Sequence, residues 1–160
     1  MQKKKEFLHI AAMLNQVFHI APLLYGSLGL EQRLHADLNA DDIDILIPEV
    51  VLGGKWDALI QAMEQMGYRL CDVHEHAFEK QGISAAFAAL ENLKPFAGVD
   101  IGEIPLIEEE GILYRLLTLA DYLKVYAASS QDGYRKNVKN KQDTQKICLI
   151  QQKLAAEGQK

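Results

Sequence analysis

The stretch that most restricts this chain is Asp42-Ile43-Asp44-Ile45-Leu46-Ile47. Isoleucine at every second position gives one β-branched face and leaves Asp42 and Asp44 together on the other. The pattern predicts a β-strand over these residues, closed by Pro48. Two carboxylates on one strand face sit about 6–7 Å apart along the strand. They repel unless a cation or a proton lies between them. A hard divalent ion such as Mg²⁺ takes oxygen ligands, commonly one or two carboxylates plus substrate phosphates. The pair therefore suits metal-assisted phosphoryl chemistry. An isolated Asp-x-Asp on an exposed strand is mostly a solvated face, so the context decides.

The context is upstream. Leu23-Leu24-Tyr25 is a short apolar run that stops at Gly26-Ser27, which predicts a buried strand feeding a tight turn. Gly26 allows close approach of the backbone to a phosphate. Ser27 offers a hydroxyl and a backbone N–H to phosphate oxygens, the more so where a helix begins. Residues 28–41 read as a short helix followed by a loop.

The rest of the chain predicts a mixed α/β, or α+β, architecture. Phe7, Ile10, Leu14, Val17 and Ala21 recur at three-to-four-residue spacing, so residues 5–20 form an amphipathic helix, ended by Pro22. Trp56, Leu59, Ile60, Met63 and Met66 mark a second helix, ended at Gly67. Residues 68–80 read as a strand, Gln81-Gly82 as a turn and residues 83–90 as the return strand. Residues 91–111 read as a loop-rich crossing, and 112–117 as a short strand. Thr118 caps a helix whose apolar face is Leu119, Leu123, Tyr126 and Ala127. Ile147, Leu149, Ile150 and Leu154 belong to a last helix. At 160 residues the length suits one domain, with a core over about 1–117 and C-terminal helices over 118–160.

Charge is uneven. The net charge is −5, but residues 134–160 carry +5 and the first 133 residues −10. An acidic body argues against an extended nucleic-acid surface. It does not argue against one small polyphosphate held between the two parts. On this view Arg135, Lys139 or Lys141 folds over the acidic site and meets the phosphates. A basic run of this kind is otherwise a solvated helix face. No apolar run is long enough for a membrane span, and no signal-peptide pattern is visible. Two cysteines, Cys71 and Cys148, make no disulfide framework, so a reduced cytoplasmic setting is expected. Cys71 is expected to be packed. His74 and His76, beside Glu75, lack further ligands at metal-site spacing and fit a water-exposed hairpin edge.

The segment 23–47, a strand ending in Gly-Ser followed by a strand with Asp-x-Asp, resembles the signature of the polymerase-β-type nucleotidyltransferase superfamily. It looks most like small bacterial members related to aminoglycoside and lincosamide nucleotidyltransferases and to nucleotidyltransferase-like toxins. The resemblance implies that Gly26 and Ser27 grip the phosphates of a nucleoside triphosphate. It implies that Asp42 and Asp44 hold Mg²⁺, and that a nucleoside monophosphate passes to a hydroxyl on a small molecule, an RNA or a protein. The toxin-like members are similar in carrying a C-terminal Lys and Asp, which Lys141 and Asp143 would match. Two departures are visible. Fourteen residues separate Ser27 from Asp42, more than is usual for the family. The family also carries a third carboxylate on a later strand, where residues 83–90 have no acid. Glu91 follows directly, and Glu75, Glu79 and Asp100 are the other candidates. A chain lacking that acid would instead act as a nucleotide-binding or protein-interaction module, for example in a toxin–antitoxin pair.

Overall fold

The computed structural model describes residues 2–131 and 140–158. Its centre is a seven-stranded mixed sheet. The strands are β1 (Leu23–Tyr25), β2 (Asp42–Ile47), β3 (Arg69–Asp72), β4 (Ala77–Lys80), β5 (Ile83–Ala89), β6 (Leu106–Glu109) and β7 (Ile112–Leu116). Their order across the sheet is β3-β4-β5-β2-β1-β7-β6. The pairs β2–β5 and β1–β7 are parallel and the others antiparallel.

Seven α-helices are described: α1 (Gln2–Phe18), α2 (Gly26–Leu34), α3 (Glu49–Leu52), α4 (Trp56–Gln65), α5 (Leu93–Ala97), α6 (Leu119–Gln131) and α7 (Asn140–Gly158). Side-chain alternation in the central strands feeds two cores, one on each face of the sheet. Ile43, Ile45 and Ile47 of β2 join Ala85 and Phe87 of β5 beneath α1 and α4, where Phe7, Ile10, Leu14, Leu59 and Met63 are buried. On the opposite face Leu23 and Leu46 meet Leu93, Tyr122, Val125, Tyr126 and Ile150 of α5, α6 and α7. Each such large apolar side chain contributes about 1.5–3 kcal/mol on burial.

Polar links bolt α1 to both flanks of the sheet. The buried carboxylate of Glu6 accepts from Tyr68 Oη at 2.8 Å and from Lys80 Nζ at 3.1 Å. Burial alone raises the pKa of Glu6, but these two donors and the Lys80 charge outweigh it and hold the group below its ordinary value. Lys4 reaches Glu109 at 3.1 Å, and Tyr114 Oη donates to the same carboxylate at 2.9 Å.

Several expectations are corrected. Residues 68–80 form not one strand but the hairpin β3–β4, with turn residues 73–76 between them. Glycine and proline are absent from that turn, so it lacks the usual signal. Cys71 is exposed, because the edge strand β3 leaves most of its side chains to solvent. The stretch 91–111 holds α5 and the edge strand β6 as well as loop. Helix α1 stops at Phe18, where His19 takes a positive φ of 56°. Val17 is consequently exposed while Phe18 is buried. In α6, Tyr122 and Val125 are buried and Ala127 is exposed. The Thr118 cap is present, its hydroxyl accepting from Asp121 N at 3.1 Å. Among the described residues no helix is long and apolar enough to cross a membrane.

Candidate active site

Antiparallel pairing of β1 with β2 sets Tyr25 opposite Asp44. The end of one strand thus meets the start of the other, although a helix and a loop intervene in sequence. Gly26 and Ser27 follow Tyr25 directly and open α2. The backbone N–H groups of the first turn of this nine-residue helix have no partner within the helix, which suits an anion. Asp42 and Asp44 lie on the β2 face opposite the isoleucines, Asp42 exposed and Asp44 half-buried.

Gly26 is required twice over. Its φ is +66°, a conformation that costs an L-residue roughly 1–2 kcal/mol. A Cβ there would also lie 3.2 Å from the Cβ of Asp44 and collide with its Oδ2. The glycine therefore lets the turn pack directly on the second aspartate. Gly29, one turn into α2, has the same character against the helical layer. A Cβ there would fall 2.6 Å from Leu24 O and strike the hydroxyl of Tyr122. That hydroxyl donates to Leu24 O at 3.3 Å.

The basic partner of the Gly-Ser turn is Lys146 of α7. Its Nζ is 2.9 Å from Ser27 Oγ and 5.2 Å from the ring centroid of Tyr126. Gly26, Ser27, Asp42, Asp44 and Lys146 all line one cleft of about 630 Å³. Phe96 and Leu149, both substantially exposed, give it an apolar rim. Arg135 and Lys139 lie outside the described residues, as do the side chains of Lys141 and Asp143. Lys146 was visible in sequence only as one of several basic residues. What singles it out is the burial of Ile150, one turn on, which fixes how α7 faces α6.

The candidates for a third carboxylate are dispersed. β5 runs beside β2 with Ser84 opposite Asp42 and Ala86 opposite Asp44. Both therefore share the face of the aspartates and neither is an acid. Glu79 sits opposite Ser84 on the next strand, two interstrand spacings, or about 10 Å, from Asp42. Its carboxylate pairs with Arg69 at 3.0 Å. Glu91 lies past the far end of β5 and accepts from the backbone N–H of Glu49 at 2.9 Å. Asp100 caps its own turn by accepting from Gly102 N at 3.0 Å. Glu75 is exposed in the β3–β4 turn, beyond Ala77, which is level with Ala86 and lies two strands from Asp44. His76, in the same turn, packs edge-on against Trp56. Among the described residues there is no group of three or more His, Cys, Asp or Glu positioned for a metal ion.

The fold has counterparts among solved structures. Two solved structures of the antibiotic-resistance factor ANT(2'')-Ia share the fold. One, in complex with adenylyl-2''-tobramycin, has a TM-score of 0.56 at 17% identity, covering 96% of this chain and 90% of its own. The other, a solution structure, has a TM-score of 0.60 at 17% identity, covering 98% and 88%. The fold is nucleotidyltransferase-like. No family model matches the sequence. The uncharacterized protein YnaI of Bacillus subtilis is 45% identical over 150 residues, covering 94% of this chain and 96% of YnaI. The chain belongs to the same family as YnaI.

Proposed function

We propose that this chain, on the nucleotidyltransferase-like fold of its family, binds a nucleoside triphosphate with Mg²⁺ and transfers a nucleoside monophosphate to a hydroxyl-bearing acceptor. The observation that carries this is the convergence of Gly26, Ser27, Asp42, Asp44 and Lys146 on one cleft. Its volume is in the range of pockets that enclose a small ligand.

The donor set fits a single hard cation. Asp42 and Asp44, on one strand face, would hold it, as hard cations take carboxylate oxygens together with substrate phosphates. When bound, Mg²⁺ would neutralise phosphate charge and polarise the phosphoryl group. The protein does the rest. The N–H groups opening α2 and the Ser27 hydroxyl take phosphate oxygens, and Lys146 supplies a positive charge at the same point. Phe96 and Leu149 offer an apolar rim for a flat ring such as a nucleobase. In the transfer, the acceptor oxygen bonds to the α-phosphorus and the bond from that phosphorus to pyrophosphate breaks. The acceptor's proton leaves to a base or to water. The acceptor is a small molecule, an RNA end or a protein side chain.

A second reading is favoured by one observation, the absence of an acid at Ser84 and Ala86 beside the aspartates. In it the cleft holds nucleotide without transferring it, and the chain is a nucleotide-binding or protein-interaction module. Calorimetric titration with each nucleoside triphosphate and Mg²⁺ tests the common premise. Binding by the wild type that is lost in the Asp42→Ala/Asp44→Ala double variant supports it; no binding, or binding unchanged by that substitution, refutes it. Release of pyrophosphate over an acceptor panel then separates the enzyme from the module.

A further inference from the structure

We propose that Glu31 is a positioning residue for the metal-binding strand, an inference that rests on the nucleotide–Mg²⁺ reading of the cleft. Glu31 lies on α2 and does not line that cleft. It clasps the loop that joins α2 to β2. One carboxylate oxygen, Oε2, accepts from the backbone N–H of Leu38 at 3.1 Å and from that of Ala40 at 2.9 Å. Its own carbonyl accepts from His35 and Ala36 as the helix ends, the latter at 3.2 Å. A single residue therefore orders the chain from His35 to Ala40.

The acid pair comes directly after that loop. Leu38, Asn39, Asp41 and Asp42 all line the cleft, and the loop contains two backbone conformations that need outside support. His35 and Asn39 have φ of +56° and +55°, and Asn39 N donates to Asp37 Oδ1 at 2.8 Å. β2 is held by its neighbours from Asp44 onward through β1 and along its length by β5. Asp42 is the first residue of β2 and has no partner on β1. Ser84 of β5 flanks Asp42 on one side, and on the side of the Gly-Ser turn its placement depends on the loop before it. The clasp also accounts for the long spacing between Ser27 and Asp42. A nine-residue helix brings Glu31 back over the loop and turns that length into a fixed span.

The test is the Mg²⁺ dependence of ATP binding by calorimetry for the wild type and for Glu31→Ala, Glu31→Gln and Glu31→Asp. Backbone amide hydrogen exchange over residues 36–42 is measured alongside. Loss of a hydrogen bond to a charged group corresponds to about tenfold or more in an equilibrium constant. In Glu31→Ala the Mg²⁺ concentration for half-maximal ATP binding is expected to rise by that factor, with faster exchange at Leu38 and Ala40. Glu31→Gln, which keeps an acceptor oxygen of the same reach, restores most of the wild-type dependence. Glu31→Asp, too short to reach both amides, does not, and it serves in place of the alanine variant should that one fail to fold. Wild-type Mg²⁺ dependence in Glu31→Ala or Glu31→Asp overturns the proposal while leaving the nucleotide reading intact. Equal loss in Glu31→Gln and Glu31→Ala overturns it in favour of a charge effect. A wild type that binds no ATP with Mg²⁺ removes both together.

Discussion

Lys146 Nζ hydrogen-bonds Ser27 Oγ at 2.9 Å across 119 residues of sequence. The contact joins the helix nearest the C-terminus to the turn after the first strand and closes the cleft on its basic side. A hydrogen bond to a charged group is worth about 1.5–3 kcal/mol, or roughly tenfold to a hundredfold in Kd. Lys146→Met should weaken nucleoside triphosphate binding by that factor in calorimetry, while Lys146→Arg retains more of it. Binding of the nucleoside alone should change little, because the lost charge acts on phosphate.

Gly26→Ala should be more damaging than its one added carbon suggests. The strained φ costs roughly 1–2 kcal/mol, and the methyl must push Asp44 aside. Denaturant unfolding should show the stability loss. Mg²⁺-dependent nucleotide binding should be abolished even at temperatures where the variant is folded.

Gly29→Ala should destabilise the fold by about 1–3 kcal/mol, the usual cost of overpacking, since its methyl meets Tyr122 and Leu24 O. Adding Tyr122→Phe to Gly29→Ala removes the colliding hydroxyl and should recover part of the loss in Tm. The Leu24 carbonyl remains in the way, so recovery should be incomplete.

Ser84→Asp places a carboxylate directly beside Asp42 on the same face of the sheet. General-base assistance is commonly worth about 10²–10⁴-fold. If base strength limits the wild type, pyrophosphate release with a hydroxyl acceptor should rise at least tenfold in this variant, towards that range. A rate unchanged at full folding would show that the missing acid is not the limit.

Glu6 gives the fold an acid-sensitive link. Its folded pKa lies below the ordinary 4.5, so its stabilisation is complete above about pH 4.5 and is lost as pH falls through the lower folded value. Glu6→Gln should therefore lower stability at pH 7 by about 1–3 kcal/mol. The gap to wild type should shrink as pH drops below 4.5. Urea midpoints across pH would show the two curves converging on the acid side.

Much of the site was legible because its code is local. Alternation in residues 42–47 set both the strand and the shared face of Asp42 and Asp44, and the apolar run before Gly26 set β1. Their meeting was not legible in the same way, since antiparallel pairing of Leu24 with Ile45 is a long-range choice. The Glu31 clasp has no sequence signal, because a glutamate in a helix carries no mark of bonding a loop seven and nine residues on. Lys146 was hidden among its basic neighbours because only packing against α6 distinguishes it. The β3–β4 turn, with neither Gly nor Pro, lacked punctuation altogether.

The position of β1 has a consequence for how the protein is made. This three-residue strand is hydrogen-bonded to β2 on one side and to β7 on the other, with Leu23 opposite Arg115. During synthesis the Gly-Ser turn and both aspartates leave the ribosome early, yet the strand that carries the turn lacks its second neighbour until β7 emerges. Lys146 arrives later still. Contacts this distant in sequence form only after the intervening loop has been closed. The cleft is thus a late event in the life of each chain, and fragments ending before α6 should carry the motif without the site.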